Sequence, residues 1–174
     1  MLSLKGSWLF AIGTGNEWIR PNFDDRDWES IRVPSNWEDQ GYNGYNGYAF
    51  YRKKVTIPAS LKGTMLYLNL GYIDDADETW LNGHKIGSSG SFPPNFNTAY
   101  NAERIYYLPE EYINFDGVNV FAVKVYDSYD AGGITNGEIG IYGGRPAVNF
   151  DVNLQSAWKF APGDDMRRKD VDFD

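Results

Sequence analysis

GYIDDADETWLNGHKIG, residues 71–87, places four acidic side chains within the five positions from Asp74 to Glu78 and follows them with Asn82-Gly83. The second feature decides the fold. Asn-Gly between two short runs of β-forming residues is the strongest local hairpin signal, because a type I′ turn needs two positive φ angles. TWL and HKIG therefore form paired strands around a tight turn, and the segment before them, MLYLNLGY (65–72), alternates. Its Leu66, Leu68 and Leu70 share one face, and Met65, Tyr67 and Asn69 share the other.

The same reading extends along the chain. YAFYRKKVTIP (48–58) alternates and stops at Pro58, which cannot donate to a central ladder. VNVFAVKVYD (118–127) is almost continuously apolar and β-branched, as in a strand buried on both faces. SWLFAI (7–12), RIYYL (104–108), EIGIY (138–142) and AVNFDV (147–152) are shorter candidates, and no stretch carries a long 3.6-residue apolar period. Short strands joined by Gly, Asn and Pro turns predict an all-β fold, an antiparallel β-sandwich of the jelly-roll type. The long connections are 13–47, 88–103 and 127–137, and loops of that length are usually functional or packed by their own side chains.

Composition narrows the function. With 174 residues there is room for one well-buried domain. A net charge of −8 opposes nucleic acid and an anionic membrane surface, since both need a basic face. No run approaches the ~18 apolar residues of a spanning helix. Cysteine is absent, which removes disulfides, thiolate metal sites and thiol nucleophiles. That suits the cytosol and also a bridge-free bacterial protein of the periplasm or exterior. MLSLKGSWLF lacks a signal-peptide pattern, and the address stays open, with a periplasmic or secreted bacterial location preferred.

The acidic cluster allows three readings. Counted as an EF-hand loop from Asp75, it places Trp80 where Gly belongs and Ile86 where Glu belongs, so that metal site fails. A structural calcium stays open in the oxygen-rich loop PNFDDRD (21–27), although Asp24, Asp25 and Asp27 also suit turn capping; otherwise no metal or cofactor is expected. A glycosidase pair needs two carboxyls about 5–9.5 Å apart across a sugar cleft. Strand alternation puts Asp75 with Asp77 and Asp74 with Glu78, on what reads as the edge strand of a small sandwich, a poor place to exclude water. The remaining reading is structural: the carboxylates anchor the hairpin to arginines in neighbouring strands, Arg52 and Arg104. His84, the one histidine, follows a turn, and no G-x-S-x-G elbow occurs, so serine-hydrolase chemistry is not indicated.

Aromatic loops carry the binding signal, the chain being 17% Phe, Trp and Tyr. NWEDQGYNGYNGYAFY (36–51) sets Trp37, Tyr42, Tyr45 and Tyr48 among Gly and Asn, and rings beside amides and carboxylates are what sugar recognition uses. The same rings could instead close the end of a sandwich or pack on a neighbouring domain. DSYDAGGITNGE (127–138) is a second candidate rim, with Asp127, Tyr129, Asp130 and Asn136.

Taken in order, FDDRDWESIRVPSNWE (23–38), YAFYRKKVTIP, LNLGYIDDADETWLNGHKIG, RIYYLP and GVNVFAVKVYDSYDAGGI (117–134) resemble the galactose-binding-like jelly roll at the start of family 2 glycoside hydrolases, the β-galactosidases and β-glucuronidases. DDADETWLNG and the later GGI are also similar to the jelly roll of sialate O-acetylesterases. The resemblance spans roughly residues 4–145. It implies a non-catalytic, sugar-binding module partnered with a galactoside- or glucuronide-like glycan and with a catalytic domain of the same polypeptide. The alternative it leaves is a structural domain that docks on that catalytic domain or completes its active site. The loop from Asp127 to Ile134 is the part implied to help shape a sugar site. The acid/base and nucleophile glutamates of those hydrolases lie in a barrel outside these motifs, and the esterase's Ser and His have no counterpart here.

One departure concerns the C-terminal residues. LKGSWLFAIGTGNEWIRPNFD (4–24) aligns without a gap on LQSAWKFAPGDDMRRKDVDFD (154–174) with seven identities, among them Trp8/Trp158 and Phe10/Phe160. The expected organisation is a jelly roll over 1–150, with 151–174 a linker strand and the truncated start of a second similar module.

Overall fold

The structure is a computed structural model and describes residues 1–144. The segment 151–174 with its echo of residues 4–24, and the whole of the predicted strand 147–152, lie within 145–174 and outside the described residues. Ten strands are present: β1 (Leu2–Ser3), β2 (Gly6–Ile12), β3 (Glu29–Val33), β4 (Gly47–Thr56), β5 (Leu66–Asp74), β6 (Ala76–Leu81), β7 (His84–Ser89), β8 (Glu103–Leu108), β9 (Val118–Asp127) and β10 (Gly133–Gly143). They form two antiparallel sheets, ordered β1-β10-β5-β8 and β3-β2-β4-β9-β6-β7. The helical residues described are short 3-10 turns.

The core lies between the sheets. Leu66, Leu68 and Leu70 of β5 point into it, as their alternation requires, and meet Trp8, Phe10, Tyr51 and Phe121 from the larger sheet. At the β6–β7 turn Asn82 and Gly83 have φ of 51° and 86°, as a type I′ turn demands. The turn is also tied down, because Asn82 donates to Tyr112 O at 2.8 Å and accepts from Val120 N at 2.8 Å.

Sequence reading missed β3, whose five residues lie within the presumed loop 13–47. Ile31 and Val33 are its buried positions, too few to stand out locally. β10 is longer than EIGIY because irregular pairing with β5 extends it back to Gly133. Gly71 makes that irregularity possible: with φ of 61°, a Cβ there would lie 2.0 Å from Asn136 O.

β6 is not an edge strand. It pairs with β9 on one side and β7 on the other, so Asp77 is interior. Its carboxylate crosses the core to β8 in the opposite sheet. Arg104 Nε donates to Asp77 Oδ1 at 2.9 Å, and Thr79 Oγ1 and Tyr106 Oη donate to Oδ2 at 2.9 Å each. Arg104 spends its other donors on the carbonyls of Asp75, Ala99 and Ala102. Removal from water pushes the Asp77 carboxyl above its ordinary range, opposed by the Arg104 charge and these hydrogen bonds.

Arg52 serves a different purpose from the one expected. On β4 it alternates with inward Tyr51, faces away from the core, and pairs with Asp25 at 2.9 Å. Lys54 reaches the other Asp25 oxygen at 2.6 Å, and Arg52 also donates to the carbonyls of Trp18 and Arg20. The guanidinium lies 5.6 Å from the Phe23 ring centre and 6.0 Å from that of Trp28. Loop 13–28 is thereby clamped onto the outer face of the larger sheet. Asp25 has two protein cations as partners, and Asp24 binds Arg26 at 2.6 Å, so this loop uses two of its carboxylates without calcium.

Breaking the cross-sheet pair leaves a charge without a counterion inside the core. Asp77→Ala is expected to lower unfolding stability by about 3–5 kcal/mol, read as the shift in a urea-unfolding midpoint. An unchanged midpoint would mean the pair contributes nothing net.

Candidate functional site

At one end of the sandwich the chain leaves β5 for β6, passing from one sheet to the other through a cis Asp74–Asp75 peptide. This corner defeats simple alternation. Asp74 and Asp75 fall side by side and meet Asp127 at the end of β9, with carboxylate oxygens of all three within 4.8 Å of one another. Glu78 points outward and binds Lys85 at 2.5 Å, whereas Asp77 occupies the core. The predicted pairings of Asp75 with Asp77 and of Asp74 with Glu78 are therefore replaced.

Asp75 is saturated by hydrogen bonds. It accepts from Thr98 Oγ1, from Ser128 N at 3.0 Å and from Ser128 Oγ at 2.7 Å. Burial would raise its pKa, but these donors outweigh burial and hold it below the ordinary carboxylate value. Asp74 behaves oppositely. Burial, then the Asp75 carboxylate beside it, pushes its pKa to about 7. Asp127 is pushed to about 6, mainly by burial and against the Tyr129 N–H that it accepts at 3.2 Å. Asn46, its amide oriented by the donor–acceptor pattern, donates to Asp127 Oδ2 at 2.9 Å.

This arrangement sets limits on chemistry. Calcium takes six to eight oxygens, while here both Asp75 oxygens are already engaged. Catalysis on a glycoside needs a sugar between two carboxyls. Asp75 and Asp127 are buried, so no ring can enter between them. The triad is a fastening at the base of the Ser128–Gly132 loop, where Asp75 accepts from Ser128 N and Oγ.

The other end of that loop is held by packing. Glu38 accepts from Gly132 N at 3.2 Å, Trp37 N donates to Gly132 O at 3.1 Å, and Ser35 N donates to Ile134 O at 2.9 Å. Gly132 lies flat on the Trp37 indole, where a Cβ would come within 1.9 Å of the ring. The GGI sequence follows from this close approach. Thr98, Ser128, Glu38 and Asn46 were not singled out by sequence, since each acts across 50 residues or more, or from a loop with no local periodicity to mark it.

The predicted rim separates into different environments. Trp37 is fully buried, edge-on to Tyr45 at 5.6 Å and near Phe10 at 6.2 Å. Tyr42 packs on Phe10 at 4.8 Å and donates to Glu29 at 2.6 Å; burial and that carboxylate raise its pKa to about 12. Tyr45 donates to Tyr48 O at 2.7 Å. Trp37 is sealed in the core and half-buried Tyr42 and Tyr45 pack against it, because the intervening Gly and Asn residues let the chain fold back over Phe10. Tyr48 lies on the outer face, against Tyr126 at 4.8 Å. Tyr129 is 80% exposed, Asp130 is exposed with φ of 72°, and Asn136 is exposed on β10 opposite Tyr72. Of the predicted rim, Tyr129 on the loop after Asp127 is the most exposed ring.

Two antiparallel sheets with a braced end loop define an all-β sandwich domain. The chain belongs to the family described as the beta-galactosidase second all-beta domain, which matches residues 14–130. It is 29% identical over 160 residues to a beta-galactosidase of Priestia megaterium, covering 74% of this chain and 14% of that protein. A putative beta-glucuronidase of Formosa agariphila is 27% identical over 97 residues, covering 49% of this chain and 9% of that protein. Among solved structures, beta-glucuronidase 2 of Bacteroides uniformis superposes with a TM-score of 0.66 at 24% identity, over 81% of this chain and 17% of that one. A glycosyl hydrolase family 2 member of Bacteroides cellulosilyticus gives 0.66 at 21%, over 81% and 20%. The structural likeness shows the fold. The chain spans about one-seventh of the first relative's length.

The raised Asp74 carboxyl makes a pH prediction. Unfolded Asp titrates near 3.9, so between about pH 4 and 7 the folded chain keeps a proton that the unfolded chain has released. Asp74 therefore contributes stability that is complete below the unfolded pKa and lost as pH rises through about 7. Asp74→Asn, which cannot ionise, is expected to melt progressively higher than the parent chain from pH 5 to pH 8. Parallel melting curves across that range would exclude a raised Asp74 pKa.

Proposed function

We propose that this chain is the non-catalytic, carbohydrate-associated domain of a larger glycoside hydrolase, and that it meets sugar through the Ser128–Gly132 loop beside the catalytic domain. Tyr129 carries this reading. Its ring is 80% exposed on a loop fastened at one end to Asp75 and at the other to Glu38 and Trp37. A ring held ready in this way loses little entropy on stacking against a sugar face. Asp130 beside it can accept from hydroxyls. The relatives are β-galactosidases and a putative β-glucuronidase, which supports a galactoside- or glucuronide-like glycan as the partner. The reaction itself belongs to a domain outside this chain. The likeness to sialate O-acetylesterases rests on sequence motifs alone, so a glycosidase parent is the reading adopted.

Burial of Trp37, Tyr42 and Tyr45 favours a second reading, a structural domain that docks on the catalytic domain and binds no sugar itself. The two separate experimentally. In the full-length hydrolase, Tyr129→Ala is expected to raise KM roughly five- to twenty-fold, about 1–2 kcal/mol, with kcat nearly constant and the melting temperature of the isolated chain unchanged. An unchanged KM would remove the loop from sugar recognition and leave docking as the better account.

A further inference from the structure

The outer face of the six-stranded sheet holds a feature unrelated to the end loop. Alternation on β4 and β9 sends Tyr48, Phe50, Lys124 and Tyr126 outward, and Glu78 and Trp80 of β6 join them through the Glu78–Lys124 and Trp80–Ala122 register. Loop 13–28 covers one flank of this face. On the other flank Phe92 and Phe96 pack against Tyr126 at 6.5 and 5.4 Å. Between the flanks remains a groove of about 70 Å³ lined by Thr14, Asn16, Phe50, Glu78, Trp80 and Lys124.

Its floor is aromatic and its rim polar. Trp80 stacks on Phe50 with centroids 6.2 Å apart and planes inclined by 17°. Lys124 Nζ sits 4.8 Å from the Tyr48 ring centre and 4.6 Å from that of Phe92. Among the described residues it is the donor in no hydrogen bond or ion pair, whereas neighbouring Glu78 is paired with Lys85. Partial burial lowers the pKa of this ammonium, with Glu78 opposing and Lys85 adding to the effect. A half-buried cation held by ring faces alone has three donors directed at no protein acceptor.

We propose that this groove binds an acidic sugar, the carboxylate of a uronic acid unit meeting Lys124 and the sugar face lying against Trp80. Asn16, Thr14 and Glu78 are placed to exchange hydrogen bonds with ring hydroxyls. At about 70 Å³ the groove takes only the carboxylate, with the sugar ring lying across its mouth on Trp80, and it is unlike a protein interface that buries about 800 Å² per partner. The charge argument is local: Glu78 is paired with Lys85, and Lys124, held on two ring faces, can meet a ligand carboxylate despite the net charge of −8. The site is independent of the Tyr129 loop and does not rest on the function proposed for it.

Calorimetric titration of the 174-residue chain with trigalacturonate, and with cellotriose as the neutral counterpart, tests the assignment. Saturable binding of the uronate is expected, at least tenfold tighter than cellotriose, weakened by added salt and unaffected by Tyr129→Ala. Lys124→Gln is expected to abolish the preference and Lys124→Arg to retain it, with melting curves confirming that both fold. Equal affinity for the two trisaccharides, unchanged binding in Lys124→Gln, or no saturation at all would overturn the proposal. The last result would assign this face to contact with another protein domain.

Discussion

The buried ion pair between Asp77 and Arg104 joins the two sheets across a core that is otherwise largely apolar. Hydrophobic packing tolerates sliding, whereas a carboxylate that must find a guanidinium, a phenol and a threonine hydroxyl in one place does not. Arg104 extends the constraint, since its remaining donors hold the carbonyls of Asp75, Ala99 and Ala102. A single side chain thus fixes the β5–β6 corner and the approach to β8 together. The carboxyl triad, and the end loop rising from it, inherit their positions from that constraint.

A second clamp, Arg52 with Asp25, works on the opposite side of the larger sheet. There it holds a loop over the surface and leaves the interior alone. The result is a domain with two distinct polar surfaces. At the end of the sandwich, acidic groups are consumed in bracing a short loop whose aromatic tip stays free. On the outer face, a lysine is left among rings without an acceptor. The first surface suits cooperation with a neighbouring domain, and the second suits a ligand of its own.

Much of the architecture was legible because it is encoded locally. Asn82-Gly83 marks a turn by its own dihedral preferences, and the leucines of β5 mark a face by their spacing. β9 reads as central because both of its faces are apolar. The candidate site was less legible. Trp37, Tyr42 and Tyr45 among glycines have the composition of a sugar platform and equally of a plug, and local sequence cannot say whether such a loop folds out or back. Asp74 and Asp75 were assigned to opposite faces by an alternation that does not survive the passage from one sheet to the other. For Arg52 the sequence supplied a charge on a strand, and only the facing loop named its partner.

By itself, then, the amino-acid sequence determined the strands, the hairpin, the aromatic-rich loops and the family likeness, all of which depend on contacts between near neighbours or on ordered motifs. Tertiary structure alone decided which carboxylates have raised pKa values, which rings pack into the core and that Lys124 rests on ring faces with no carboxylate of its own. Those properties follow from burial and from partners that are distant along the chain. A pKa or a free donor is set by the local dielectric and by the nearest opposite charge, and neither exists until the two sheets close on each other.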